Sequence, residues 1–282
     1  MKHLSVAMLA ALILLAGCVK PDKDRVDQSL RNNPFFRALG AVPGQSGSYT
    51  GHGGSFDGDT SWPIGAARAI HDPDVNYDIN VSRPFADVDF QIAWPCTLMV
   101  VYTDIPDTSA RDTVIKPAPK INGKMAWRFE FQGDSWKFSE LSPCEAKFDS
   151  VLNHIRIDSL QVKARRAGQP LSFPTLANPA TRLPVDSYPY TFRAGDSVDL
   201  KLWETNDLGS SALVWAFLHS DPANFTSGFQ YDTLAHSFYG TWIVNQVGNH
   251  WVWFEVVDLR GAILSKTDPD RSILWGLPYV VE

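Results

Sequence analysis

The sequence predicts an α+β domain followed by an all-β sandwich: amino-terminal helices with a curved antiparallel sheet, then a second, wholly β unit. Three observations carry this expectation. Apolar residues recur at helical spacing only in the early part of the chain, and from Val75 onward they alternate with polar ones at period two, as strands with one wet face require. Helices first and a meandering sheet afterwards indicate the α+β class. Later, Pro170, Pro174, Pro179, Pro184 and Pro189 recur every four or five residues, the composition of a stiff extended connection between domains.

The first element is an address. Lys2 precedes an apolar run from Leu4 to Leu15. A dozen such residues make about 18 Å of helix, too short for a hydrocarbon core of about 30 Å, so the run reads as a targeting segment rather than an anchor. It ends in Leu15-Ala16-Gly17-Cys18, which resembles the lipobox of bacterial lipoprotein signal peptides. The resemblance implies that residues 1–17 are removed and that Cys18 carries lipid, holding the protein on a membrane surface. Val19 and Lys20 follow where one sorting system uses Asp for inner-membrane retention, so the expected location is the cell envelope, on the outer membrane.

Residues 18–24 read as a tether. Arg25 to Leu30 has one or two helical turns with Val26 and Leu30 on one face, and Asn33-Pro34 is an N-cap with Pro at the first helical position. Residues 43–61, rich in Gly, Ser and Asp, read as a loop, and Trp62 to Ile70 as another short helix begun by Ser61 and Pro63. Val75, Tyr77, Ile79 and Val81 then form a strand, and Ala86 to Trp94 a second. Thr97 to Thr103 forms a third, and Trp127 to Phe131 turns at Gly133-Asp134 into Trp136, Phe138 and Leu141 as a hairpin. The expected domain runs over 25–165.

Short helices, long alternating strands and the hairpin from Met125 to Leu141, with Gly133-Asp134-Ser135-Trp136-Lys137-Phe138 at its turn, resemble the nuclear transport factor two-like cone. Some members of that superfamily are isomerases or dehydratases acting inside the cone. No catalytic residue can be matched to this chain, so the resemblance implies a fold and a possible ligand cavity but no reaction.

The proline-spaced segment 166–187 is the expected linker, and 188–282 the expected second domain. Val198, Leu200 and Leu202 alternate with polar residues, and Leu213 to Leu218 is a continuous apolar run suited to a buried central strand. Phe238 to Val244, His250 to Val257 and Ile273 to Val281 complete the set. Ala194-Gly195-Asp196-Ser197-Val198 and Gln246 to Trp253 resemble bacterial immunoglobulin-like and polycystic-kidney-disease-type modules. The resemblance implies an immunoglobulin-like β-sandwich without the antibody-type Cys pair.

Composition narrows the function classes. The formal charge of −6 and the absence of a basic run leave no footprint for nucleic acid. With Cys18 acylated, Cys96 and Cys144 remain as an even pair, expected as a disulfide in an oxidising compartment, the alternative being two separate buried thiols. Neither has the close His partners of a zinc site, so no metal and no cofactor is expected.

Each chemical motif has a plainer explanation. His52-Gly53-Gly54-Ser55 is similar to an esterase oxyanion loop, but no Gly-x-Ser-x-Gly elbow accompanies it. Asp72, Asp74, Asn76 and Asp78 alternate like calcium ligands, yet Tyr77 and Arg83 stand where a calcium loop needs Gly and Glu. His219, His236 and His250 with Asp221, Asp232 and Asp258 offer a His–carboxylate dyad without a nucleophile signature. Asp87 and Asp89 share a strand face as a carboxylate pair. Ten Trp are many for 282 residues; core packing is the reading for most of them, since a sandwich core commonly uses Trp, and Trp251 and Trp253 on one face are the glycan-stacking candidates. The expected function is a non-catalytic, membrane-anchored envelope lipoprotein that binds or scaffolds another envelope protein or a glycan. A small-ligand receptor or enzyme using the cone is the remaining alternative.

Overall fold

A computed structural model describes residues 21–39, 61–70, 73–104, 111–116, 120–148, 155–166, 168–207, 214–220, 225–258 and 272–282. The described residues are 66% strand and 9% helix, which corrects the expected α+β class. The two helices, α1 (Asp22–Asn32) and α2 (Pro34–Ala38), are accessories to sheets rather than a layer of their own. No helix-plus-curved-sheet domain is present among the described residues, so the cone and its cavity are set aside.

Local chemistry explains the helices. Asn33 caps α2, its side-chain oxygen accepting from the Phe35 amide at 2.9 Å and the Phe36 amide at 3.4 Å, and Pro34 takes the first helical position as expected. Val26 and Leu30 on α1 are fully buried. Trp62 to Ile70, expected as a helix, is instead strand β1 (Ser61–Ile70). The Ser and Pro that favour a helix start are equally at home here: Pro63 stands where the register shifts, and there a missing N–H interrupts little of the ladder. β1 pairs with β4 (Cys96–Asp104), and β4 with β5 (Arg111–Lys116), in a three-stranded sheet.

The remaining strands form two sheets. The larger has eleven. Its spine runs from β2 (Asp74–Ser82) through β3 (Phe85–Trp94), β6 (Ile121–Gln132), β8 (Cys144–Phe148), β19 (Ser272–Val281), β18 (Gly248–Asp258) and β14 (Val214–Ser220) to β15 (Phe225–Gly228). Beside the far half of β6 lie β7 (Ser135–Leu141) and then β11 (Leu183–Pro184), and β12 (Tyr190–Phe192) runs parallel to the end of β19. The hairpin expected at Gly133-Asp134 joins β6 to β7, and Gly133 supplies the positive φ of 66° at its turn. The second sheet has the order β10 (Gln169–Ser172), β9 (Ile155–Arg166), β13 (Ser197–Asn206), β17 (Ser237–Ile243), β16 (Gln230–Asp232).

These pairings also correct the expected division at 166–187. β8, from the first half of the chain, pairs with β19 from the end, and β9 pairs with β13 along ten registered positions. The two halves share sheets and one apolar core. The prolines serve a strap, not a linker. Lacking an N–H, they suit a segment that pairs only at margins: β10 with β9, a bridge between Leu160 and Leu176, and β11 with β7.

Burial follows from coverage. β9, β13 and β17 turn Leu160, Val162, Val198, Leu200, Leu202, Phe238 and Trp242 inward, all nearly inaccessible. On the large sheet, β18 and β19 are buried along almost their whole length on both faces. β3 alternates buried and open, because its second face has no layer above it. The other face of β3 and β6 carries Val88, Phe90, Trp127 and Phe129 in an aromatic cluster that Phe36 joins from the helices. Two glycines make room for the largest rings. A Cβ on Gly123 would stand 2.6 Å from Cζ3 of Trp94, and one on Gly276 2.6 Å from Cζ3 of Trp253. Each indole lies across a bare stretch of the neighbouring strand, and the two rings meet edge to face at 5.3 Å.

Candidate functional site

The uncovered half of the large sheet positions the candidate site. Register brings Gln91 of β3, Lys124 of β6 and Glu145 of β8 into one cross-strand rung on the open face. In the next rung Ala126 stands beside Asp89 and leaves a depression. Above it runs the strap, where Asn178 accepts the Ala180 amide at 2.9 Å in a tight turn. Strap and strands form a groove of about 410 Å³ lined by these residues together with Phe90, Met125, Ser142 and Pro179.

The strap is fastened at both ends. The Leu160–Leu176 bridge holds one. At the other, Arg182 reaches Asp87 at 2.7 Å and Asp89 at 3.8 Å, while Arg128 donates to Asp87 at 2.8 and 3.3 Å and lies 3.5 Å from Glu140. The hydrogen bond from Arg128, reinforced by the charge of Arg182, holds the Asp87 carboxyl below its ordinary range against the opposing effect of burial. The expected carboxylate pair therefore divides: Asp87 is spent on two guanidinium groups, and Asp89 stays largely exposed at the groove.

The groove offers carboxylates, carboxamides and one ammonium. These can accept from and donate to a polar ligand. The one hydroxyl of its lining, Ser142, accepts the Ala126 amide at 2.8 Å and donates to the Pro143 carbonyl at 3.0 Å, so it serves the backbone. Sequence reasoning missed Lys124, Glu145 and Asn178. The alternation of Ile121, Gly123 and Met125 with Asn122 and Lys124 is the signal that could have marked Lys124 as outward-facing, but only the pairing of β8 brings Glu145 beside it.

The other candidates lie elsewhere. Trp251 and Trp253 are each 1% exposed, so the expected glycan platform is corrected: their rings stack on each other at 5.9 Å, and Trp251 donates its indole N–H to the Phe35 carbonyl at 3.0 Å. A ring sealed from solvent cannot stack on a sugar. The carboxylate that meets His219 is none of the expected aspartates but Glu255, its diagonal neighbour across β14 and β18 at 2.9 Å, and both are wholly buried. Phe217 stacks on His219, with ring centroids 6.2 Å apart. His236 occupies a turn at φ 45°, and His250 meets the Gln246 carbonyl at 3.0 Å. Asp232 caps a turn at the Leu234 and Ala235 amides.

Cys144 is a free, buried thiol whose ionisation burial pushes well up, and no disulfide is found among the described residues. The partner expected for it, Cys96, begins β4, and its side chain lies outside the described residues, as do Cys18, the segment 52–55, Asp72 and Asp221. Asp74, Asn76 and Asp78 line the exposed face of β2, as a wet strand face requires. Among the described residues no cluster of His, Cys, Asp or Glu could hold a metal ion, and no helix is long and apolar enough to cross a membrane.

Fold and groove thus define a β-rich protein with a cleft of mixed polar and apolar lining on the less covered half of its large sheet. No protein-family model, curated protein or solved structure matches the chain.

Proposed function

We propose that this chain is an envelope lipoprotein, anchored through Cys18, that acts as a non-catalytic binding module, with the groove over β3, β6 and β8 as its binding surface. The observation that carries the reading is the contrast between sites. Trp251, Trp253 and the His219–Glu255 pair are sealed, whereas the rung Gln91–Lys124–Glu145 opens into a volume within the usual range for ligand sites. The bound component is polar, matched by hydrogen bonds rather than by stacking.

Two measurements test it. Cys18→Ser releases the protein from the membrane fraction; unchanged fractionation sinks the anchor. A photo-crosslinking amino acid at Gln91 in intact cells yields a discrete adduct that Lys124→Glu abolishes, while the same group at Lys163 on the second sheet yields none. Identical patterns from both positions, or no adduct from Gln91, sink the groove.

A further inference from the structure

The anchor reading has a geometric consequence, because the folded body begins very close to Cys18. α1 starts at Asp22, earlier than the sequence pattern indicates, so only Val19, Lys20 and Pro21 separate it from the lipid-bearing position. Four residue steps span about 14 Å at full extension. The first turn of α1 is in turn fixed to one end of the large sheet. Asp22 takes both Arg83 nitrogens at 2.7 and 2.8 Å, and the Arg25 guanidinium donates to the Asp134 carbonyl. Arg83 also lies over the Phe131 ring, 4.1 Å from its centroid. These contacts join α1 to two hairpin turns, Arg83-Pro84 between β2 and β3 and Gly133-Asp134 between β6 and β7.

A second, independent observation falls at the same end. Val81 and Phe85, on either side of the Arg83-Pro84 turn, are 37% and 40% exposed, less than Leu234 or Val247 elsewhere on the molecule, but they are the large apolar side chains that stand open beside the cations of this end. Apolar side chains beside cations at a turn suit the boundary between headgroups and acyl chains. Lys23 and Arg25 add cations, and Asp24 and Asp134 offset them, so the end carries no strong field of either sign.

We propose that the end of the molecule formed by the first turn of α1 and the two hairpin turns rests against the phospholipid headgroup layer. It rests on the Cys18 reading and specifies what that reading leaves open, namely which face meets the membrane. The tether is too short to let the body turn over. Asp89 and Gln91 lie four and six residues along β3 from Phe85, so the groove stands about 14 to 20 Å above that end. Its ligand is therefore met close to the bilayer surface.

The test uses the full-length lipidated protein in vesicles of phosphatidylethanolamine and phosphatidylglycerol carrying a spin label on the headgroup. A genetically encoded fluorescent amino acid replaces Asp134 in one protein and Lys120 in another; β6 separates these positions by about 40 Å. Emission at Asp134 is expected to be quenched several-fold more than at Lys120. A ten-residue Gly/Ser insertion between Lys20 and Pro21 is expected to remove the difference. Equal quenching at the two positions in protein that floats with the vesicles overturns the orientation and leaves the anchor standing. A difference that survives the insertion also overturns it, since tether length would then not set the pose. Protein that does not float at all overturns the anchor reading itself.

Discussion

Gly276→Ala is expected to cost about 2 kcal/mol of stability. A methyl group at this position would lie 2.6, 2.7 and 2.8 Å from three atoms of the Trp253 ring, well inside contact distance. The ring has nowhere to go, because Trp94 meets it at 5.3 Å on one side and Trp251 stacks on it at 5.9 Å on the other. Forcing a methylene's worth of volume into such a core costs about 1–3 kcal/mol or more. Replacing glycine also removes freedom from the unfolded chain, which returns about 0.4–1 kcal/mol. The net loss lowers the melting temperature by about 4–8 °C for a chain of this size. The assay is thermal unfolding followed by near-ultraviolet circular dichroism, with Gly228→Ala as control, since a methyl there meets Phe217 at an ordinary 3.8 Å. In a Trp253→Leu background, itself less stable, the further cost of Gly276→Ala should shrink, as read from a double-mutant cycle. If Gly276→Ala melts with Gly228→Ala, the account of two indoles lying across bare strands is wrong.

Two further outcomes follow from charged groups. Glu255→Ala removes the 2.9 Å partner of a wholly buried histidine and is expected to cost about 1–3 kcal/mol, read as a lower urea midpoint at unchanged slope; an unchanged midpoint refutes a structural role for the pair. Asp87 has a folded-state pKa depressed by Arg128 and then by Arg182, so its contribution is fully present above its unfolded value and is lost as pH falls below about 4 toward the folded value. Urea titrations at a series of pH values should therefore show Asp87→Asn flattening the acid limb of the stability curve, whereas an acid limb matching the parent's would show that Asp87 does not supply it.

Strand content was legible because single-sided burial writes period two into the sequence. β3 reads Phe-Ala-Asp-Val-Asp-Phe-Gln-Ile-Ala-Trp and is buried at alternate positions as expected. At β18 the run His-Trp-Val-Trp-Phe-Glu-Val-Val-Asp is nearly continuous in apolar character, the mark of a strand covered on both faces, and it makes Trp251 and Trp253 core residues rather than a glycan platform. The prolines from 170 to 189 were correctly placed in extended chain. A one-dimensional pattern cannot say whether such chain departs from a domain or crosses one, and here Arg182 and Leu176 tie it back. The groove was legible only in fragments: Asp89 and Gln91 belong to an expected wet face, but Glu145 arrives through the pairing of β8, and Asn178 through a strap more than fifty residues away in sequence.

The position of β19 bears on how the chain acquires its structure. The strand that begins at Ser272 lies between β8 and β18, in the middle of the large sheet. Until it is available, the first-half strands and the β18–β14–β15 group have no shared edge in that sheet, and both would expose strand borders that invite mispairing. Folding from the amino terminus in self-sufficient stages is closed to this topology. Joining the two groups is a non-local step of the slow kind that high contact order imposes. Truncation before Ser272 would leave two half-sheets without the strand that joins them.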